Sequence, residues 1–125
     1  MELEGDTLRN YIMHHSLNGN IAQKLAAFIA KLHNKGVYFR SIHFGNILIT
    51  PNNSFGLIDI ADMKIKSHSL NIGKRIRNFH HLTRYEIDRN SLKQQKEIFI
   101  REYLKICNFQ HDNKKKLEEK INAVL

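Results

Sequence analysis

A single cysteine, Cys107, leaves the chain no partner for an intrachain disulfide and no set of ligands for a cysteine zinc site. It stands in an apolar helical pattern, which predicts a buried structural thiol and fits a reducing cytoplasm. No apolar run approaches the roughly 18 residues of a membrane span. The opening octet, MELEGDTL, is acidic and has no basic stretch ahead of an apolar one, so no signal peptide is expected. Internal repeats and low-complexity linkers are missing too. Acidic residues are scarce: 12 Asp and Glu stand against 20 Lys and Arg, a net charge of +8. That surplus attracts anions, whether nucleic acid, anionic lipid or phosphorylated substrates, without choosing among them.

What is present is enough for one domain with a real core. The 125 residues are 42% hydrophobic and 26% charged, a globular balance. Asp6 is placed to cap a short helix carrying Leu8, Tyr11 and Ile12. Asn18-Gly19-Asn20 breaks it. Asn20 is placed to cap a helix with Ile21, Leu25, Phe28, Ile29 and Leu32 on one face, ended by Gly36. An extended loop, 37–45, leads to a hairpin with strands at about 47–50 and 55–59 and Pro51 to Ser54 as its turn. Helix returns near Gly73, with Ile76, Phe79 and Leu82 on one side and Lys74, Arg75, Arg77 and Arg84 on the rest. Ser91 and Asp112 are placed to cap two more helices. The fold class is α+β, mainly α, with one short β-hairpin.

The segment FRSIHFGN, followed by ILITPNNSFG and LIDIAD, carries the chemistry. Phosphoryl transfer asks a protein for positioning and cations more than for covalent steps. Magnesium prefers oxygen ligands, one or two carboxylates plus substrate phosphates. A kinase catalytic loop supplies a carboxylate for the acceptor hydroxyl and, five residues later, an Asn for the metal. A second Asp after a short hairpin holds the other metal.

On these residues the chain resembles the protein-kinase-like fold. In particular it resembles the lipopolysaccharide core (Kdo/heptose) kinase family of Gram-negative bacteria and the related toluene-tolerance proteins. LHNKGVYFRSIHFGNILI matches that family's helix end and catalytic loop, SFGLIDIADMKI its metal loop, and RIRNFHHLTRYEIDR its following basic helix. The resemblance implies a single C-lobe over 1–125, with a hinge-like start at 1–8, its core at 21–89 and C-terminal helices at 91–125. No counterpart of the N-lobe appears. Asn46 and Asp59 would hold Mg2+, Glu4 and Gly5 would lie near the adenine of ATP, and Arg40 would steady the catalytic segment. Phe39 stands where a His is usual. Ser41 stands at the position of the catalytic Asp, and a neutral hydroxyl cannot accept a proton as a carboxylate does. His43 is the conceivable substitute base.

Two classes of function follow. The first is a phosphotransferase lineage acting on an acidic sugar or lipopolysaccharide core acceptor, inactive as this chain alone. The second is a non-catalytic, pseudokinase-type module that binds nucleotide, an acidic glycolipid or a protein. A small basic nucleic-acid binder is the weakest reading, because no helix-turn-helix or aromatic stacking pattern stands out. The expected location is cytoplasmic, at the inner face of the inner membrane if the acceptor is a glycolipid. Without an N-lobe, apolar residues near Leu3, Leu48 and Ile58 are expected to be exposed or covered by another chain, giving self-association. His14-His15 and His80-His81 read as surface or hydrogen-bonded histidines, since neighbours on a helix point roughly 100° apart. Lys114 to Lys116 read as a solvated face. Arg75, Arg77 and Arg84 divide evenly between a solvated face and a surface for an anionic acceptor.

Overall fold

In the computed structural model, residues 5–125 are described, and helices dominate. The order is β1 (Asp6–Thr7), α1 (Leu8–His14), α2 (Gly19–Asn34), β2 (Val37–Phe39), β3 (Ile47–Ile49), β4 (Phe55–Leu57), β5 (Met63–Ile65), α3 (Ile72–Leu82), α4 (Glu86–Lys93), α5 (Lys96–Ile106) and α6 (His111–Val124). The α+β, mainly helical class is as expected. Leu3 and Glu4 lie outside the described residues.

The caps differ from expectation by one or two residues. Thr7, not Asp6, caps α1: its hydroxyl accepts the Asn10 N–H at 3.1 Å. Asp6 is drawn into β1 instead, opposite Ile49. Asn18, not Asn20, caps α2 by accepting the Ile21 N–H at 2.8 Å, so the helix starts at Gly19. Asx side chains cap whichever turn their backbone geometry reaches, and spacing alone misses this by a residue. Ser91 falls inside α4 and Asp112 inside α6. The basic helix anticipated over 75–89 is two helices, divided at Thr83 to Tyr85.

The hairpin is confirmed in shorter form, with Ile47 opposite Leu57 and Ile49 opposite Phe55. It does not stand alone. β1 adds to the far side of β3, making a three-stranded antiparallel sheet. The stretch read as extended loop contains β2, which pairs with β5 through Tyr38 and Lys64. Gly36 joins α2 to β2 with φ +80°, where an added Cβ would collide with the carbonyls of Lys66 and His68.

The core forms where α2 lies on α5, its principal partner. Ile21, Leu25, Ala26 and Ile29 from α2 meet Phe99, Ile100 and Tyr103 from α5, with Phe79 and Leu82 from α3. Each fully buried Leu or Ile adds roughly 1.5–3 kcal/mol relative to exposure. Cys107 is buried at the end of α5, as its pattern suggested.

Two charged residues sit in this interior. Arg75 is fully buried, although the sequence placed it among solvent-facing cations. Its Nε donates to the Leu70 carbonyl at 2.8 Å, Nη2 to Asn108 Oδ1 at 2.9 Å, and Nη1 to Tyr103 Oη at 3.3 Å. The guanidinium lies 4.2 Å from the ring centre of Phe109. Asp88 is also fully buried and pairs with Arg9, not with the arginines of α3. Among the described residues, Arg9–Asp88 is the one ion pair.

The apolar exposure anticipated near Leu48 and Ile58 is found at Ile60 and not at Leu48 or Ile58 themselves. Both are partly buried, Leu48 because β1 and β4 flank β3. Among the described residues, the large apolar side chains that face solvent are Met13, Ile60, Ile65, Tyr85 and Ile87.

Candidate functional site

The loop 40–46 hangs between β2 and β3, and a buried hydrogen-bond chain fixes its near end. Tyr103 Oη donates to His33 Nδ1 at 2.7 Å, and His33 Nε2 donates to Asn78 Oδ1 at 2.8 Å. Asn78 Nδ2 then donates to the Phe39 carbonyl at 2.8 Å. Helices α5, α2 and α3 thus all bear on the residue before Arg40. Burial lowers the His33 pKa to about 3, so the ring is neutral and can act as donor and acceptor at once. Phe39 fills the core, in keeping with a packing role.

The far end is fixed by Arg9. Its Nε and Nη2 donate to the two Asp88 oxygens at 3.1 and 2.8 Å, and Asp88 also accepts the Phe44 N–H at 3.1 Å. The hydrogen bond to Asp88 raises the Arg9 pKa. The guanidinium lies 4.4 Å from the centre of the Tyr85 ring. Gly45 leaves room for it, since a Cβ there would sit 2.7 Å from Arg9 Nη1.

Arg9 also decides what His43 can do. Its Nη2 lies 3.2 Å from His43 Nδ1, which accepts the Gly45 N–H at 3.2 Å as well. Two pure donors on Nδ1 leave the ring proton on Nε2, and the 3.3 Å approach of Asn46 Nδ2, itself a donor, is then a contact and not a hydrogen bond. Desolvation first, and the Arg9 charge second, lower the His43 pKa. An imidazole whose accepting nitrogen is engaged, beside a fixed cation, is poorly set up to take a proton. The geometry gives His43 the task of holding the loop.

Asn46 and the Asp59 loop lie side by side. Asn46 Nδ2 donates to the Ser41 carbonyl at 3.1 Å, bridging the loop across five residues. The Ile58 N–H donates to the Asn46 carbonyl at 3.0 Å, so the residue before Asp59 is tied to Asn46. Asp59 is exposed and left-handed, at φ 60° and ψ 49°. Such backbone is tolerated best by Asn, Asp and Gly. With its Nδ2 committed, Asn46 retains Oδ1 for a cation, and Asp59 offers a carboxylate. Among the described residues no three His, Cys, Asp or Glu side chains gather into a metal site. The donor set of one carboxylate and one amide fits magnesium, which takes few protein ligands and completes its shell with phosphate oxygens and water.

The remaining residues are placed as follows. Gly5 packs its backbone against Ile49, three residues along β3 from Asn46, or about 10 Å at strand rise. Glu4 lies outside the described residues. Arg40 is exposed and adds, with Arg84 and Arg77, to the charge that lowers the His81 pKa behind desolvation. Ser41 carries the feature that spacing did not reveal. Its Oγ donates to Asp62 Oδ2 at 2.7 Å, across 21 residues of sequence. Asp62 follows Asp59 on the same short 3-10 turn.

No helix among the described residues is long and apolar enough to cross a membrane. No protein-family model matches the chain, and no curated protein matches it.

Proposed function

We propose that this chain is a kinase-like C-lobe related to lipopolysaccharide core sugar kinases, which holds magnesium and nucleotide phosphates between Asn46 and Asp59. The observation that carries the reading is the Ile58–Asn46 backbone bond, which sets the Asn loop and the Asp loop together. The magnesium ion would supply cationic charge to the phosphate oxygens. The chain's own residues position it: Asn46 through the Ser41 carbonyl, and the loop as a whole through Arg9, Asp88 and Asn78.

Among the described residues the largest sheet has three strands, and nothing resembles a glycine-rich cover over the phosphates. Nucleotide affinity is therefore expected to be weak and transfer slow. The acceptor in this reading is an acidic sugar or lipopolysaccharide core. The non-catalytic reading, a module for nucleotide, an acidic glycolipid or a protein, is favoured by the neutral hydroxyl at Ser41.

Titration calorimetry of the 125-residue chain with ATP, with and without magnesium, tests the proposal. Binding should require magnesium and weaken at least tenfold in Asn46→Ala and Asp59→Ala, with unchanged circular dichroism. Binding indifferent to magnesium and to both substitutions would remove the assignment.

A further inference from the structure

We propose that Asp62, acting through Ser41, is the carboxylate base of this site. The inference rests on the phosphotransferase reading and adds to it the residue that the sequence position lacks. A kinase loop needs a carboxylate where the acceptor hydroxyl loses its proton. Ser41 occupies that place in sequence, yet the fold brings a carboxylate to it from the neighbouring loop. The Ser41 Oγ to Asp62 Oδ2 distance of 2.7 Å is that of a charge-assisted hydrogen bond.

Three observations make the pair usable. Ser41 is partly buried and Asp62 is exposed, so an acceptor can reach them. The Ser41 main chain is pinned by Asn46 Nδ2, which fixes the hydroxyl beside the metal-holding residues. The nearest competing base, His43, has its accepting nitrogen engaged by Arg9 and Gly45. A serine hydroxyl has one proton and two lone pairs. With the proton directed at Asp62, a lone pair remains to receive the proton of an incoming hydroxyl.

The step balances. The acceptor O–H proton passes to Ser41 Oγ as the Ser41 proton passes to Asp62, whose carboxylate becomes a neutral acid. The acceptor oxygen bonds the terminal phosphorus of a nucleoside triphosphate. The bond from that phosphorus to the bridging oxygen breaks, and its electron pair leaves with the nucleoside diphosphate. The expectation of no turnover rested on the missing N-lobe and, at position 41, on an isolated hydroxyl. The carboxylate beside it removes that ground, and the uncovered phosphates remain as the cause of a low rate.

The test is single-turnover release of phosphate to water from radiolabelled ATP and magnesium, with the 125-residue chain in excess. Slow release is expected from the unsubstituted chain. Asp62→Asn should lose about 100-fold in rate, the low end for general-base help, with nucleotide affinity unchanged within twofold. Asp62→Glu should recover part of the loss. An unchanged rate in Asp62→Asn would overturn the proposal, as would a chain that binds the nucleotide and releases no phosphate. Failure to bind magnesium and nucleotide at all would instead remove the phosphotransferase reading beneath it.

Discussion

Two polar clusters meet across a single residue, and they are built on opposite terms. One runs through Arg75, Tyr103, His33 and Asn78 and ends at the Phe39 carbonyl, buried throughout. The other begins at Ser41 and takes in Asn46, Asp59 and Asp62, open to water. In the first, every buried side-chain nitrogen and oxygen among the described residues has a partner. In the second, Asp59 and the Asn46 oxygen have capacity left over. A satisfied buried network rigidifies what it touches, whereas unspent donors and acceptors at the surface are what a ligand can use. The buried cluster holds the loop still, and the open cluster is what is held.

The largest test of that division is Arg75→Met. It removes donors to Leu70, Asn108 and Tyr103 and leaves the Leu70 carbonyl and the Tyr103 hydroxyl buried without that partner, so roughly 3 kcal/mol of stability should be lost in urea unfolding. Arg75→Lys should not restore it, because an ammonium lacks the guanidinium fork. A loss below about 1 kcal/mol would show that the network is not structural.

The next test is acid. His33 stays neutral in the folded chain down to about pH 3, while the unfolded chain takes up its proton near the ordinary histidine value. Its contribution is complete above pH 6.5 and drains away as pH falls toward 3, at about 1.4 kcal/mol per pH unit. His43 and His81 shift in the same direction, but solvent screens them. His33→Gln should flatten the acid side of the stability profile measured between pH 7 and 4. An equally steep profile in that variant would assign the acid sensitivity elsewhere.

The smallest expected effect sharpens the contrast from the other side. Ser41→Ala and Asp62→Asn should each change stability by no more than about 0.5 kcal/mol, as surface positions do. A loss above 2 kcal/mol in either would place the open cluster in the framework as well.

What the sequence disclosed follows the reach of each interaction. The long helices, the hairpin and the Asn46 and Asp59 loops were legible because their signals are local. Asp62 was not, since its meeting with Ser41 depends on how two loops are laid together by β2, β5 and the hairpin. Arg75 and Asp88 could have been found. Arg75 stands four residues before Phe79 and seven before Leu82, and Asp88 four before Leu92, so both fall on the apolar faces of their helices. Their charge, and the cations around Arg75, masked that spacing. The caps slipped because Thr7 and Asn18 compete with equally suitable neighbours, Asp6 and Asn20.

The packing of α2 on α5 has a consequence in time. During synthesis α2 leaves the ribosome some 60 residues ahead of its principal partner, an interval of several seconds at ordinary elongation rates. Through that interval Ile21, Leu25 and Ile29 lack the helix that covers them most, and the guanidinium of Arg75 waits for Tyr103 and Asn108. Local helices can form early, but the interior closes late, through contacts distant in sequence that slow folding. The nascent chain is thus most exposed to aggregation just before α5 emerges, and a chaperone that shields short apolar helices would act in that window.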